Sequence, residues 1–143
     1  MKKSILLLTI LTVIFSLPTN SLMAASPKKD SPFLIVGKLP HATGILMRNW
    51  DNPILRLSEA QKEKLLIVRK ETMAGVGALK KKIGPLQKQI VEETKAGKSP
   101  TELKTMVTTL AGLKAEATMV HLKCVYDTNN VLHKEQQITL SKF

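Results

Sequence analysis

The stretch that decides the fold runs from Ser99 to Cys124, SPTELKTMVTTLAGLKAEATMVHLKC. Ser99 followed three residues later by Glu102 is a capping box, in which hydroxyl and carboxylate each satisfy one otherwise orphaned backbone N–H. Pro100 then takes the first helical position, where its missing N–H is harmless. Apolar or small residues follow at Leu103, Met106, Leu110, Leu113, Ala117, Val120 and Cys124, in alternating steps of three and four. This is a heptad seam over roughly three repeats, and a helix carrying it to Asn129 is about 45 Å long at 1.5 Å per residue. Such a helix outruns the core of one small domain, so part of the seam is expected to face a second copy.

Upstream, LSEAQKEKLLIVRKETM from Leu57 to Met73 opens another helix. Ser58 and Gln61 form its capping box, and Leu65, Leu66, Val68, Met73, Val76, Leu79 and Ile83 make an apolar stripe. Ile83-Gly84-Pro85 is expected to bend or restart the helix, because proline removes a donor and clashes with the preceding turn. Leu86, Ile90 and Val91 continue the stripe until Lys95-Ala96-Gly97-Lys98 stops it. A short helix is expected within His41–Trp50, using Ile45 and Leu46, with Trp50 as a core plug. A last one is expected within Leu132–Phe143. Aromatic content is 3% and no alternating pattern supports strands, so the chain reads as all-α.

The N-terminus reads as an export signal. Lys2 and Lys3 precede an apolar block from Ile5 to Leu17, too short to span a bilayer, and small residues follow at Ala24, Ala25 and Ser26. The expected division is a cleaved signal peptide at 1–25, an extended arm at 26–38 broken by Pro27, Pro32 and Gly37, and a helical domain at 39–143. Removing residues 1–25 takes two lysines from a chain of 143 residues and net charge +11, leaving 118 residues at +9. In the periplasm that charge points away from nucleic acid and toward acidic lipids, polyanions or negatively charged client proteins. The single cysteine, Cys124, allows no intrachain disulfide.

No arrangement of nucleophile, base and oxyanion donors is present, so the chain does not read as an enzyme. Gly97-Lys98-Ser99 lacks the earlier glycine and the strand of a phosphate-binding loop. His121 and Cys124, spaced i and i+3, share a helix face and could offer an imidazole and a thiolate to zinc, copper or nickel. Further ligands would have to come from His41, His133, Met119 or a carboxylate. Cys124 also sits in the seam, where a thiol packs as a small hydrophobe, and a disulfide between two copies is a third reading. Lys62, Lys64, Arg69, Lys70, Lys80, Lys81, Lys82 and Lys88 lie off the seam of the first long helix. They read either as a solvated face or as a basic rim around apolar patches, suited to reversible capture of partly unfolded chains.

The L-x-x-x-Q of Leu57, Ser58 and Gln61 has an echo in Leu132, His133 and Gln136. With the export signal and the two long helices between them, the pair resembles the periplasmic LTxxQ family of Spy and CpxP, over residues 39–143. His133 replaces the motif's hydroxyl residue and cannot cap as Ser58 does. The resemblance implies a bent antiparallel helical hairpin of about four helices, dimerising into a curved cradle with a basic concave face. It implies an ATP-independent chaperone of the envelope stress response that binds unfolded or misfolded envelope proteins. Lys62, Arg69, Lys70, Lys80, Lys81, Lys82 and Lys88 are the candidate client-binding residues. Some members restrain a sensor kinase through its periplasmic domain, and more distant ones bind or sense metals. Both motif copies are expected to close helix starts at the same end of the hairpin and pack together.

Overall fold

The computed structural model describes residues 31–143. The expected signal peptide and the first part of the arm lie outside them. Residues 31–40 form bends, with neither helix nor strand. Four helices follow: α1 (Ala42–Arg48), α2 (Glu59–Lys95), α3 (Pro100–Val131) and α4 (Lys134–Leu140). The described chain is all-helical, with no strand.

Both long helices begin as their sequences dictate. The Ser58 hydroxyl accepts from the Gln61 N–H at 3.2 Å, while the Gln61 carbonyl oxygen accepts from the Ser58 N–H at 3.1 Å. Ser99 and Glu102 form the same box on α3, where the Ser99 N–H reaches the carboxylate at 2.9 Å. α2 ends because Gly97 adopts φ +87°, which only glycine takes without strain. There the Lys98 N–H bonds Glu93 O and the Gly97 N–H bonds Thr94 O, both at 3.1 Å, satisfying carbonyls the helix leaves open. Ser99 caps α3 immediately afterwards.

α2 does not restart at Pro85. It runs unbroken for 37 residues with the proline inside it. Pro85 is exposed, so the carbonyl its ring frees one turn earlier can turn to water.

α2 and α3 make the most extensive contact between elements. Gln61, in the first turn of α2, bonds the carbonyl of Val131 at the end of α3, and Gly75 in mid-helix faces Val120. All seven seam positions of α3 are buried or half-buried within this one chain. α2 supplies the cover, through Leu65, Val68, Thr72, Leu79, Ile83, Leu86 and Ile90 at matching steps. Within this one chain the seam is therefore covered, fully or in part, without a second copy.

The main core lies at one end. Ala42 and Leu46 of α1, Leu55 of the following loop, Leu65 of α2, Leu132 at the end of α3 and Leu140 of α4 form a buried cluster, against which Ile45, Trp50, Leu57 and Val131 pack. Leu46, Leu55 and Leu65 are fully enclosed, and each contributes about 1.5–3 kcal/mol by leaving water.

Candidate functional site

The two motif copies meet inside that core. Gln61 Nε2 donates to Gln136 Oε1 at 2.8 Å, and Gln136 Nε2 donates back to Gln61 Oε1 at 3.1 Å. The second proton of each amide goes to a main-chain carbonyl, Val131 O at 3.0 Å from Gln61 and Leu55 O at 2.8 Å from Gln136. Each Oε1 also accepts the N–H of its own N-cap, Ser58 or His133. Buried amides are stable only when their donors and acceptors are used, and here each half completes the other. Leu132 is buried in the cluster and Leu57 packs against it. His133 makes no side-chain cap bond, so the second copy keeps only the glutamine half of the box. Among the described residues Arg56, at φ +47°, is the non-glycine residue held in the left-handed region, and its own carbonyl also faces the Gln136 amide at 3.3 Å.

The basic residues of α2 do not form one surface. Lys62 is engaged with Asp51 at 3.2 Å and Glu59 at 3.1 Å, with its side chain only 19% exposed. Those carboxylates, Glu59 first, hold its ammonium above the usual lysine range. Lys62 thus ties the loop after α1 to α2. Lys88 pairs with Glu92 at 3.7 Å. At 3.6 residues per turn, Lys70, Lys81 and Lys88 fall on the edge facing away from α3, and Lys64 and Lys82 on the flank that carries Glu71. Arg69 and Lys80 share the opposite flank. Among the described residues none of Arg69, Lys70, Lys80, Lys81 and Lys82 enters an ion pair.

That opposite flank has a distinct chemistry. Between Leu66 and Val91 the one carboxylate of α2 is Glu71, and between Leu103 and Val125 the one carboxylate of α3 is Glu116. Glu71 sits near enough to Lys123 to act on its charge, and Glu116, two residues from Thr118, points across the helix from it. Among the described residues, the side carrying Arg69, Met73 and Lys80 of α2 with Val107, Lys114 and Thr118 of α3 is therefore free of acids. Met73 is 61% exposed and Val107 49%, so apolar and basic groups alternate there in contact with water. Lys114 and Val107 escaped the sequence reading, and the spacing of the acidic residues was the signal that could have found them.

The same side carries a cleft of about 230 Å³, lined in part by Phe33, His41, Arg69, Met73, His121 and Cys124. His121 is 5% exposed, and its Nε2 lies 3.1 Å from Pro40 O. Because a carbonyl can only accept, Nε2 carries the proton, and the buried Nδ1 has no partner. The His121 ring stacks on His41 at 4.9 Å and lies 4.9 Å from Phe33. Cys124 is buried, with its sulfur 3.7 Å from Thr43 Oγ1. His121 and Cys124 therefore share one cleft, as their spacing predicts. Yet no group of three His, Cys, Asp or Glu side chains is placed to hold a metal among the described residues, so the donor set falls short of a complete site. His133 lies at the start of α4 and Met119 is 63% exposed on another face.

No protein-family model, curated protein or solved structure matches the chain. No described helix is long and apolar enough to cross a membrane.

Proposed function

We propose that the chain is a periplasmic, ATP-independent chaperone and envelope stress adaptor of the Spy and CpxP type, binding unfolded or misfolded envelope proteins. In this reading the long helices form a bent hairpin, and two copies join through surfaces other than the α3 seam. The observation that carries the reading is the acid-free side, where exposed methionine and valine alternate with arginine and lysine. Charge on such a side raises encounter rates with acidic chains, and scattered apolar contacts hold them loosely. The reciprocal Gln61–Gln136 clasp supports the resemblance, because it gives both motif copies one shared structural role.

The test is suppression of aggregation of an unfolded client by the purified protein without nucleotide. Arg69→Gln with Lys80→Gln should weaken it in a salt-dependent manner, while Lys64→Gln with Lys82→Gln, equal in charge loss, should leave it near the starting level. Absence of suppression at every molar ratio overturns the proposal. Equal loss in both pairs would move the binding surface elsewhere. Sedimentation at micromolar concentration reads the dimer.

A second reading, a metal-responsive protein using His121 and Cys124, is favoured by the unpartnered Nδ1 beside a buried thiol. Native mass spectrometry with zinc, copper and nickel decides it. Stoichiometric binding lost in His121→Ala and in Cys124→Ala would place it first.

A further inference from the structure

The arm before α1 is seated on the acid-free side, and the way it is held indicates what that side accepts. We propose that the cleft between His121 of α3 and Arg69 and Met73 of α2, together with the Thr118 hydroxyl that bonds the arm, docks an extended apolar segment flanked by acidic residues. In the absence of such a partner, Phe33–Val36 of the chain's own arm lies across this place, with Phe33 forming part of the cleft wall. The proposal rests on the chaperone reading and names the client segment it leaves open.

Three contacts hold the arm. The Leu34 N–H donates to Thr118 Oγ1 at 2.9 Å, the Phe33 ring lies against His121, and Pro40 O accepts from the same imidazole. The first is a main-chain contact, indifferent to the side chain at that position, so any extended segment can make it. The second is an aromatic or apolar contact that many segments can supply.

The arm fits poorly in two respects. Leu34, Ile35 and Val36 remain 56%, 41% and 57% exposed, so most of its apolar surface stays in water. A segment with so few buried contacts opens at little cost in free energy. That side carries Arg69, Lys80 and Lys114, and among the described residues no carboxylate pairs with them. An apolar run flanked by Asp or Glu adds an attraction to those charges that residues 31–40 of the arm, without an acidic side chain, do not make, and so displaces the arm.

The experiment uses two fluorescent twelve-residue peptides with the same apolar centre, one flanked by aspartates and one by lysines, titrated into the full protein. The acidic peptide should bind at least about tenfold more tightly at low salt, with the gap closing near about 0.5 M salt, where the screening length falls to a few ångströms. Phe33→Ser with Leu34→Pro removes the ring contact and the N–H without touching the buried core. It should tighten binding of the acidic peptide roughly threefold to tenfold, the fraction of molecules in which the arm had closed the cleft. In the unaltered protein, the Leu34 amide should exchange faster once the acidic peptide is added. Equal affinity for both peptides, or unchanged affinity and exchange when arm or peptide is altered, overturns the proposal. If peptide binding is absent while aggregation is still suppressed, the docking site falls and the chaperone reading stands. If suppression is absent as well, both fall.

Discussion

Gln61 and Gln136, 75 residues apart, are each other's hydrogen-bond partners at 2.8 and 3.1 Å in the closed end of the molecule. Each caps its own helix backward and reaches across to the other's environment forward. The pair thereby ties the start of α2, the end of α3 and the start of α4 into one unit.

A double-mutant cycle measures this coupling. Gln61→Ala or Gln136→Ala alone takes one donor and one acceptor from the amide that remains and leaves a main-chain carbonyl open, at a cost of about 1–3 kcal/mol each. The double variant should lose less than the sum, because the two amide–amide bonds are lost only once and no half-satisfied amide remains, and urea unfolding should return a coupling of at least about 0.5 kcal/mol. Strict additivity would show that the amides do not depend on one another.

Two glycines of α2, two residues apart, should respond with opposite sign. A Cβ on Gly75 would lie 3.2 Å from Val120 Cγ1, whereas one on Gly77 meets nothing within 4 Å. Gly77→Ala should raise stability by about 0.5–1 kcal/mol through helix propensity. Gly75→Leu should lower it by about 1–3 kcal/mol by forcing α2 from α3. Thermal unfolding of both variants checks the pair, and equal shifts would deny the close approach.

Thr128 is fully enclosed and its hydroxyl has no partner among the described residues. Thr128→Val keeps the shape and removes the orphan, so it should stabilise the chain by about 1 kcal/mol. A loss of stability on denaturant unfolding would mean that the hydroxyl is satisfied in solution.

At the start of α3, the Ser99 hydroxyl first and the Ser99 backbone N–H second hold the Glu102 carboxyl below its usual range. A carboxyl whose folded value is depressed stabilises the fold above its unfolded value, and that contribution disappears as pH falls through the folded value. The first turn of α3 should therefore fray in acid, seen as faster exchange of the Leu103 amide. NMR titration should place the Glu102 midpoint below those of unpaired glutamates, and Ser99→Ala should move it upward.

The local features were legible because local geometry decides them. Capping boxes at Ser58 and Ser99, the stop at Gly97 and the seam from Leu103 to Cys124 depend on residues within one or two turns of one another. The pairing of the motif copies was foreseeable from their places at two helix starts on one end of the hairpin that the resemblance implies, and its reciprocal bonding was not. Pro85 shows the limit of local rules, since an exposed carbonyl can be left to water and the helix continues.

Sequence alone determined that the described chain is helical, where the long helices begin, where α2 stops, and which residues form the α3 seam. Only the tertiary structure decided what covers that seam, because the stripe of α2 satisfies the same spacing as a second copy would. It likewise decided which lysines act together: residues adjacent in the chain diverge by about 100° around a helix, so Lys80, Lys81 and Lys82 face three directions. The arm's place on Thr118 and His121 was also invisible beforehand, since one main-chain hydrogen bond and one ring contact leave no pattern in the residues that make them.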